Sequence, residues 1–204
     1  MQELQPRFVP LAAKTVVCHS ITYMLMGALA FHFLHYADFI NNPNSGMRPT
    51  TSLWLILGVP LQVFRGVLFA SVFYLFRDAL FGRKNGRLLM AWMLIGIGIL
   101  GTFAAPPGSL DGFIYTTVPV AMQLRGYLKV VSQALLLSAL LCYWVNRPGR
   151  KGLNWTLGIA YAVCVGLPLL SLLAPKKIEV LSTAPIGIWT FVFGPTGNLI
   201  PAII

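Results

Sequence analysis

The chain has 204 residues, 57% of them hydrophobic and only 10% charged, with a mean hydropathy of +0.75. Soluble domains carry about a quarter charged residues, so a water-soluble globule is excluded, and recurring apolar runs of about 20 residues match the ~30 Å core of a bilayer. The net charge of +10 sits in short loops between those runs, where orientation signals and anionic headgroups account for it, and with no long polar segment to carry a nucleic-acid interface that partner is set aside.

The expected fold class is all-α, a polytopic transmembrane helical bundle with five spans and a sixth, Pro/Gly-broken C-terminal segment, forming one integral membrane domain over residues 1–204. A β-barrel would alternate polar and apolar residues in segments of about ten, and no such pattern occurs. The opening MQELQPRFVPLAAK is polar and mixed, without a cleavable signal pattern, and the apolar run behind it is long enough to stay as a span.

The first span is placed at Thr15–Ala37 and holds all three histidines, His19, His32 and His35. His19 and His32 are thirteen residues apart, about 20 Å along one helix, so they cannot ligate one iron, and a haem would need a second copy of the chain. His32, His35 and Asp38 follow an H-x-x-H-x-x-D spacing, which presents three potential metal ligands on one helix face. The alternative for these histidines is polar packing near the interface, because no other span offers a histidine to complete the site.

The second span, Leu53–Phe76, carries Arg65 twelve residues before Arg77, about 18 Å along the helix and near mid-bilayer. A guanidinium keeps its charge there, at a cost of roughly 2.5–3.5 kcal/mol on the insertion scale. Either it folds back onto carbonyls near the expected helix break at Gly58 and Pro60, or it neutralises an anion. Gln62 lies one turn earlier on the same face and can share the pocket. The five carboxylates, Glu3, Asp38, Asp78, Asp111 and Glu179, all fall outside the spans, which points to a lipid phosphate, a cofactor acid or a partner's acid.

The third span runs from Arg87 to Ala104, and its Gly96, Gly98 and Gly101 are expected to allow close helix packing. The fourth, Leu124–Val145, opens with Arg125 and Lys129 one turn apart on one face. With Arg48 they are read as a basic mouth above Arg65, the alternative being that they snorkel to headgroups. The fifth is Leu153–Ala174. The last segment, Leu181–Ile204, has no charge but is broken by Pro185, Pro195, Gly197 and Pro201; it is a sixth span, a broken helix or a re-entrant stretch, tolerated in lipid only under cover of other protein.

Orientation follows from the loops RDALFGRKNGR and NRPGRK. Together with Arg7 and Lys14 they hold nine of the fifteen basic residues, which predicts that they and the N-terminus face the cytoplasm in a cell inner membrane. QVFRGVL at Gln62–Leu68 echoes QLRGYL at Gln123–Leu128, and each precedes a basic GRK loop, so the two hairpins are candidates for a repeat. Cys18, Cys142 and Cys164 lie in spans without C-x-x-C spacing and read as small apolar residues.

No G-x-S-x-G occurs and no histidine lies beyond the first span, so no catalytic residue is assigned. Nor is any cofactor identified beyond the metal or haem alternative. The expected function is that of a non-catalytic accessory or structural subunit of a larger membrane complex. Its intramembrane Arg65 would bind an anion, and its partners would be membrane lipids and other subunits or a second copy. A small transporter or lipid-handling protein for an anionic substrate is the alternative, and a metal- or haem-binding protein the second.

Overall fold

The computed structural model describes residues 6–42, 45, 48, 52–101 and 109–173. Of these, 82% are helical and none lies in a strand, which agrees with the all-α reading. The helices are α1 (Phe8–Phe33), α2 (Tyr36–Ile40), α3 (Leu53–Ile56), α4 (Gly58–Leu75), α5 (Arg77–Leu80), α6 (Gly86–Ile95), α7 (Leu110–Tyr115), α8 (Val120–Val145) and α9 (Lys151–Leu173). Four of them, α1, α4, α8 and α9, are long and apolar enough to cross a membrane.

Sequence chemistry explains the boundaries. Proline is tolerated in the first turn of a helix, where its missing N–H has no intrahelical partner, and Pro10 and Pro60 stand there in α1 and α4 while Pro119 directly precedes α8. α1 therefore starts seven residues earlier than the hydropathy placed it, and α8 four. Polar side chains inside the apolar helices close onto their own backbone: the hydroxyl of Thr15 donates to the Leu11 carbonyl at 2.8 Å and that of Thr22 to the Cys18 carbonyl at 2.9 Å.

The third expected span is different. Ten α-helical residues in α6 continue into a five-residue π-turn, Gly96–Leu100, closed by the Gly101 N–H on the Gly96 carbonyl at 3.0 Å. Together they reach about 20 Å, less than a bilayer core. The glycines here were expected to bring helices together, yet a Cβ added at Gly96 or Gly98 would meet nothing within 4 Å. What they have in common is a backbone free of side-chain crowding, which lets the ladder widen to i→i−5 bonding. Close approach occurs instead at Gly66, where an added Cβ would lie 2.8 Å from the Val16 Cα.

α1 is the element the others share. It packs against α4, α8 and α9, while α6 packs on α8, and α9 also touches α4. α4 runs antiparallel to α1, with Phe8 beside Tyr74, Val16 beside Gly66 and His19 beside Gln62. α8 also runs antiparallel to it, from Lys14 beside Trp144 to Leu34 beside Arg125. The two hairpins of the RG echo thus each lay their first helix antiparallel on α1.

The basic loops gather at one end. The Gly82 N–H, in a turn whose φ of +75° suits glycine, donates to Asn146 Oδ1 at 2.9 Å, and Trp144 Nε1 donates to Asn154 Oδ1 at 2.6 Å. Beneath this clasp Phe73, Leu80, Met90, Leu137 and Leu141 join Leu11 in one buried apolar cluster. Toward the other end a smaller cluster unites Tyr23, Val59 and Val165 from α1, α4 and α9. α8 adds no residue to it, and what α8 buries at that level includes Gly126, Lys129 and Gln133.

Candidate anion site

His19 sits near the centre of α1, about 17 Å from its start, and is buried to 1% exposure. Its ring lies edge-on to Phe69 at 4.9 Å between centroids, and its Nε2 is 3.0 Å from Gln62 Oε1. The Gln62 amide nitrogen donates to the Gly58 carbonyl at 2.9 Å, so its oxygen faces the histidine and can only accept. His19 therefore carries its proton on Nε2. Its Nδ1 is a buried acceptor with no hydrogen-bond partner among the described residues.

This pair has a direct consequence for stability. Changing Gln62 to leucine removes the partner that a buried imidazole N–H has among the described residues, at a cost of about 1–3 kcal/mol, and should appear as a lower unfolding temperature in detergent. An unchanged melting temperature would show that the His19–Gln62 bond contributes nothing to the α1–α4 contact.

Arg65 stands one turn beyond Gln62, on the flank of α4 and exposed. Helix geometry aims its side chain toward the α4 N-terminus. Lys129 comes from α8. It is 8% exposed, and its Nζ stands 5.5 Å from the Tyr23 ring centre and 4.9 Å from that of Tyr36, within cation–π range. Neither Arg65 nor Lys129 has a carboxylate partner among the described residues. Asp78 lies 3.8 Å from Arg77 at the basic end, and Asp38 and Asp111 belong to α2 and α7.

The expected site residues separate into two groups. Gln62 meets His19, and Lys129 lies between Tyr23 and Tyr36, while Arg65 follows Gln62 by one turn on the exposed flank of α4. The sequence had assigned none of His19, Tyr23 and Tyr36 to this role. Lys129 turns inward between aromatic rings instead of reaching for headgroups. Arg125 and Arg48 do not join them. Arg125 Nη1 donates to the Leu34 carbonyl at 3.4 Å, supplying a cation to the unsatisfied C-terminus of α1. Arg48 stacks 5.6 Å over Trp54. Gln123, the counterpart of Gln62 in the echo, is fully engaged in tying α7 to α8, its amide nitrogen lying 3.1 Å from the carbonyls of Gly112 and Val118.

The shared helix face expected of His32, His35 and Asp38 does not form. α1 ends at Phe33, His35 takes a left-handed φ of +50°, and Asp38 belongs to the separate helix α2. Among the described residues no group of three or more His, Cys, Asp or Glu is placed to hold a metal ion. Residues 181–204, where a sixth span was considered, lie outside the described residues, as do residues 102–104 of the expected third span.

Compared with protein-family models, with curated proteins and with solved structures, the chain matches none.

Proposed function

We propose that this is a non-catalytic multi-pass membrane protein, an accessory or structural subunit of a membrane complex, which uses Arg65 and Lys129 to hold an anion that its own chain does not supply. One observation carries the reading: Arg65 within the apolar helix α4 and Lys129, buried on α8, have no carboxylate at ion-pair distance among the described residues. An unpaired charge is costly in hydrocarbon, and a bound anion removes that cost. In the same reading the basic end faces the cytoplasm of a cell inner membrane, and the companion that brings the anion is a lipid, another subunit or a second copy of the chain.

The exposure of Arg65 on the α4 flank supports a second reading, a small carrier or lipid-handling protein, because an anion bound there is not sealed in and can exchange. Native mass spectrometry after gentle extraction tests both. The wild-type protein should carry a stoichiometric added mass that Arg65→Leu lacks at equal protein yield. Identical compositions would overturn the assignment of Arg65 to an anion.

A further inference from the structure

Independently of Arg65, we infer that Arg147 and Arg150, gathered on the Tyr143 ring at the basic end, hold the phosphate of an anionic membrane phospholipid whose acyl chains lie along the exposed stripe of α8.

The site begins with a turn. R-P-G-R at 147–150 joins α8 to α9, with proline in second place, where its fixed φ suits a β-turn. The Arg150 N–H donates to the Arg147 carbonyl at 3.4 Å. That bond closes the turn and keeps its first and fourth Cα atoms within about 7 Å of each other. The backbone alone therefore makes the two arginines neighbours.

Their side chains then meet on one ring. The guanidinium carbon of Arg147 lies 4.2 Å from the centre of the Tyr143 ring and that of Arg150 lies 5.8 Å from it, both within cation–π range. Arg150 Nη1 also donates to the Tyr143 hydroxyl at 2.8 Å. Two like charges are held side by side by one aromatic group, and among the described residues no carboxylate stands at ion-pair distance from either. The Gly82–Asn146 clasp at 2.9 Å brings the second basic loop to this place, because Arg83 follows Gly82 and Arg147 follows Asn146 in the chain. Both Arg147 and Arg150 are exposed, so a ligand reaches them without any opening of the fold. Arginine grips phosphate through parallel N–H donors, and a pair assembled in advance loses less freedom when the ligand arrives.

The apolar half of the ligand follows from α8, a helix long and apolar enough to cross a membrane. Leu135, Ala139 and Tyr143 recur every four residues, which places them on one face, and all three are exposed. That stripe ends at the Tyr143 ring, two residues before α8 itself ends, and the arginine pair stands in the turn just beyond. Acyl chains lying on the stripe deliver a headgroup phosphate to the two guanidinium groups. A water-soluble phosphate ester has no use for the stripe. A choline headgroup brings a positive group of its own to a place already rich in them, so phosphatidylglycerol is held over phosphatidylcholine.

The test uses the full-length protein, purified in a nonionic detergent and stripped of lipid. Phosphatidylglycerol, phosphatidylcholine and glycerol 3-phosphate are added separately and in competition, and binding is read by native mass spectrometry. Arg150→Gln should weaken retention of phosphatidylglycerol by about tenfold or more, the worth of one charge-assisted hydrogen bond. Arg147→Gln should do the same, and it serves as the second variant should Arg150→Gln fail to run as a single species on size exclusion. Tyr143→Leu keeps both charges and the apolar stripe but removes the ring that gathers the arginines, and should weaken retention by about threefold or more. Arg7→Gln removes an equal charge at the same end, where α1 starts beside Tyr74, and should change retention by no more than about twofold.

Equal loss from Arg7→Gln and Arg150→Gln overturns the inference, because it marks a diffuse attraction to the basic end. Unchanged retention in Tyr143→Leu overturns it too, because the ring then assembles nothing. Phosphatidylcholine held as well as phosphatidylglycerol rules out the anionic class, and glycerol 3-phosphate displacing the lipid at equal concentration rules out the lipid. If no phospholipid depends on the pair but a co-purifying polypeptide does, the surface receives a partner's acidic segment and the lipid assignment falls. Arg65→Leu reports on the α4 site alone, so either reading can fail while the other stands.

Discussion

Replacing Lys129 with methionine should raise the unfolding temperature of the lipid-free protein while weakening its hold on the anion by about tenfold or more. The two effects have opposite signs because the buried ammonium is a burden until its ligand arrives. Removing a charge from water costs several kcal/mol even after relaxation, and the flanking Tyr23 and Tyr36 rings return only about 0.5–2 kcal/mol. Methionine keeps the unbranched stem and most of the volume, so the packing between α1 and α8 survives. Thermal unfolding in detergent, with and without added anionic lipid, measures both parts. A variant less stable than wild type in the absence of lipid would mean that Lys129 serves as a structural post between two rings and not as a ligand.

The second large effect is expected at Gly66, where alanine should cost about 1–3 kcal/mol, the usual penalty for forcing atoms into a filled contact. The methyl group would stand 2.8 Å from the Val16 Cα and 2.9 Å from its Cγ2. Because the first of these is backbone, rotation of a side chain cannot relieve it, and α1 must move away from α4. His19 and Gln62 hydrogen-bond one turn away at 3.0 Å, so the displacement loosens that bond too. Gly98→Ala provides the comparison, since a Cβ there meets nothing within 4 Å. Melting temperatures of the two variants decide the matter: equal shifts would mean that alanine acts through helix propensity alone, and that the α1–α4 crossing has slack.

That Gln62 and Arg65 lie one turn apart on one helix was legible before any fold was known. The partner of Gln62, His19, was not. It lies 43 residues away, and nothing local distinguishes it from His32 or His35. Lys129 was visible as a cation near a helix start, but which way it turns depends on Tyr23 and Tyr36, brought to it by the packing of α1 on α8. The metal reading failed for a local reason instead: a periodic H-x-x-H-x-x-D spacing holds a shared face only while the helix continues, and the chain leaves it at Leu34.

The glycines taught the converse lesson. Gly96, Gly98 and Gly101 cluster in sequence, and Gly66 stands nearly alone, yet Gly66 is the one in close contact with another helix. Spacing reveals which residues share a face, whereas only the neighbouring helix decides whether that face is touched.

By itself the sequence determined the solvent and the polarity of the molecule. Long apolar runs can satisfy their backbone in lipid only as helices here, and basic loops separated from one another along the chain were already assigned to one end. It also determined that a permanent charge stands near the middle of α4. Tertiary structure alone decided what surrounds that charge. The reason is that α1 packs against both α4 and α8, so that His19 meets Gln62 on one side and Lys129 finds Tyr23 on the other, with Tyr36 of α2 beside it, and no described carboxylate forms an ion pair with Arg65 or Lys129.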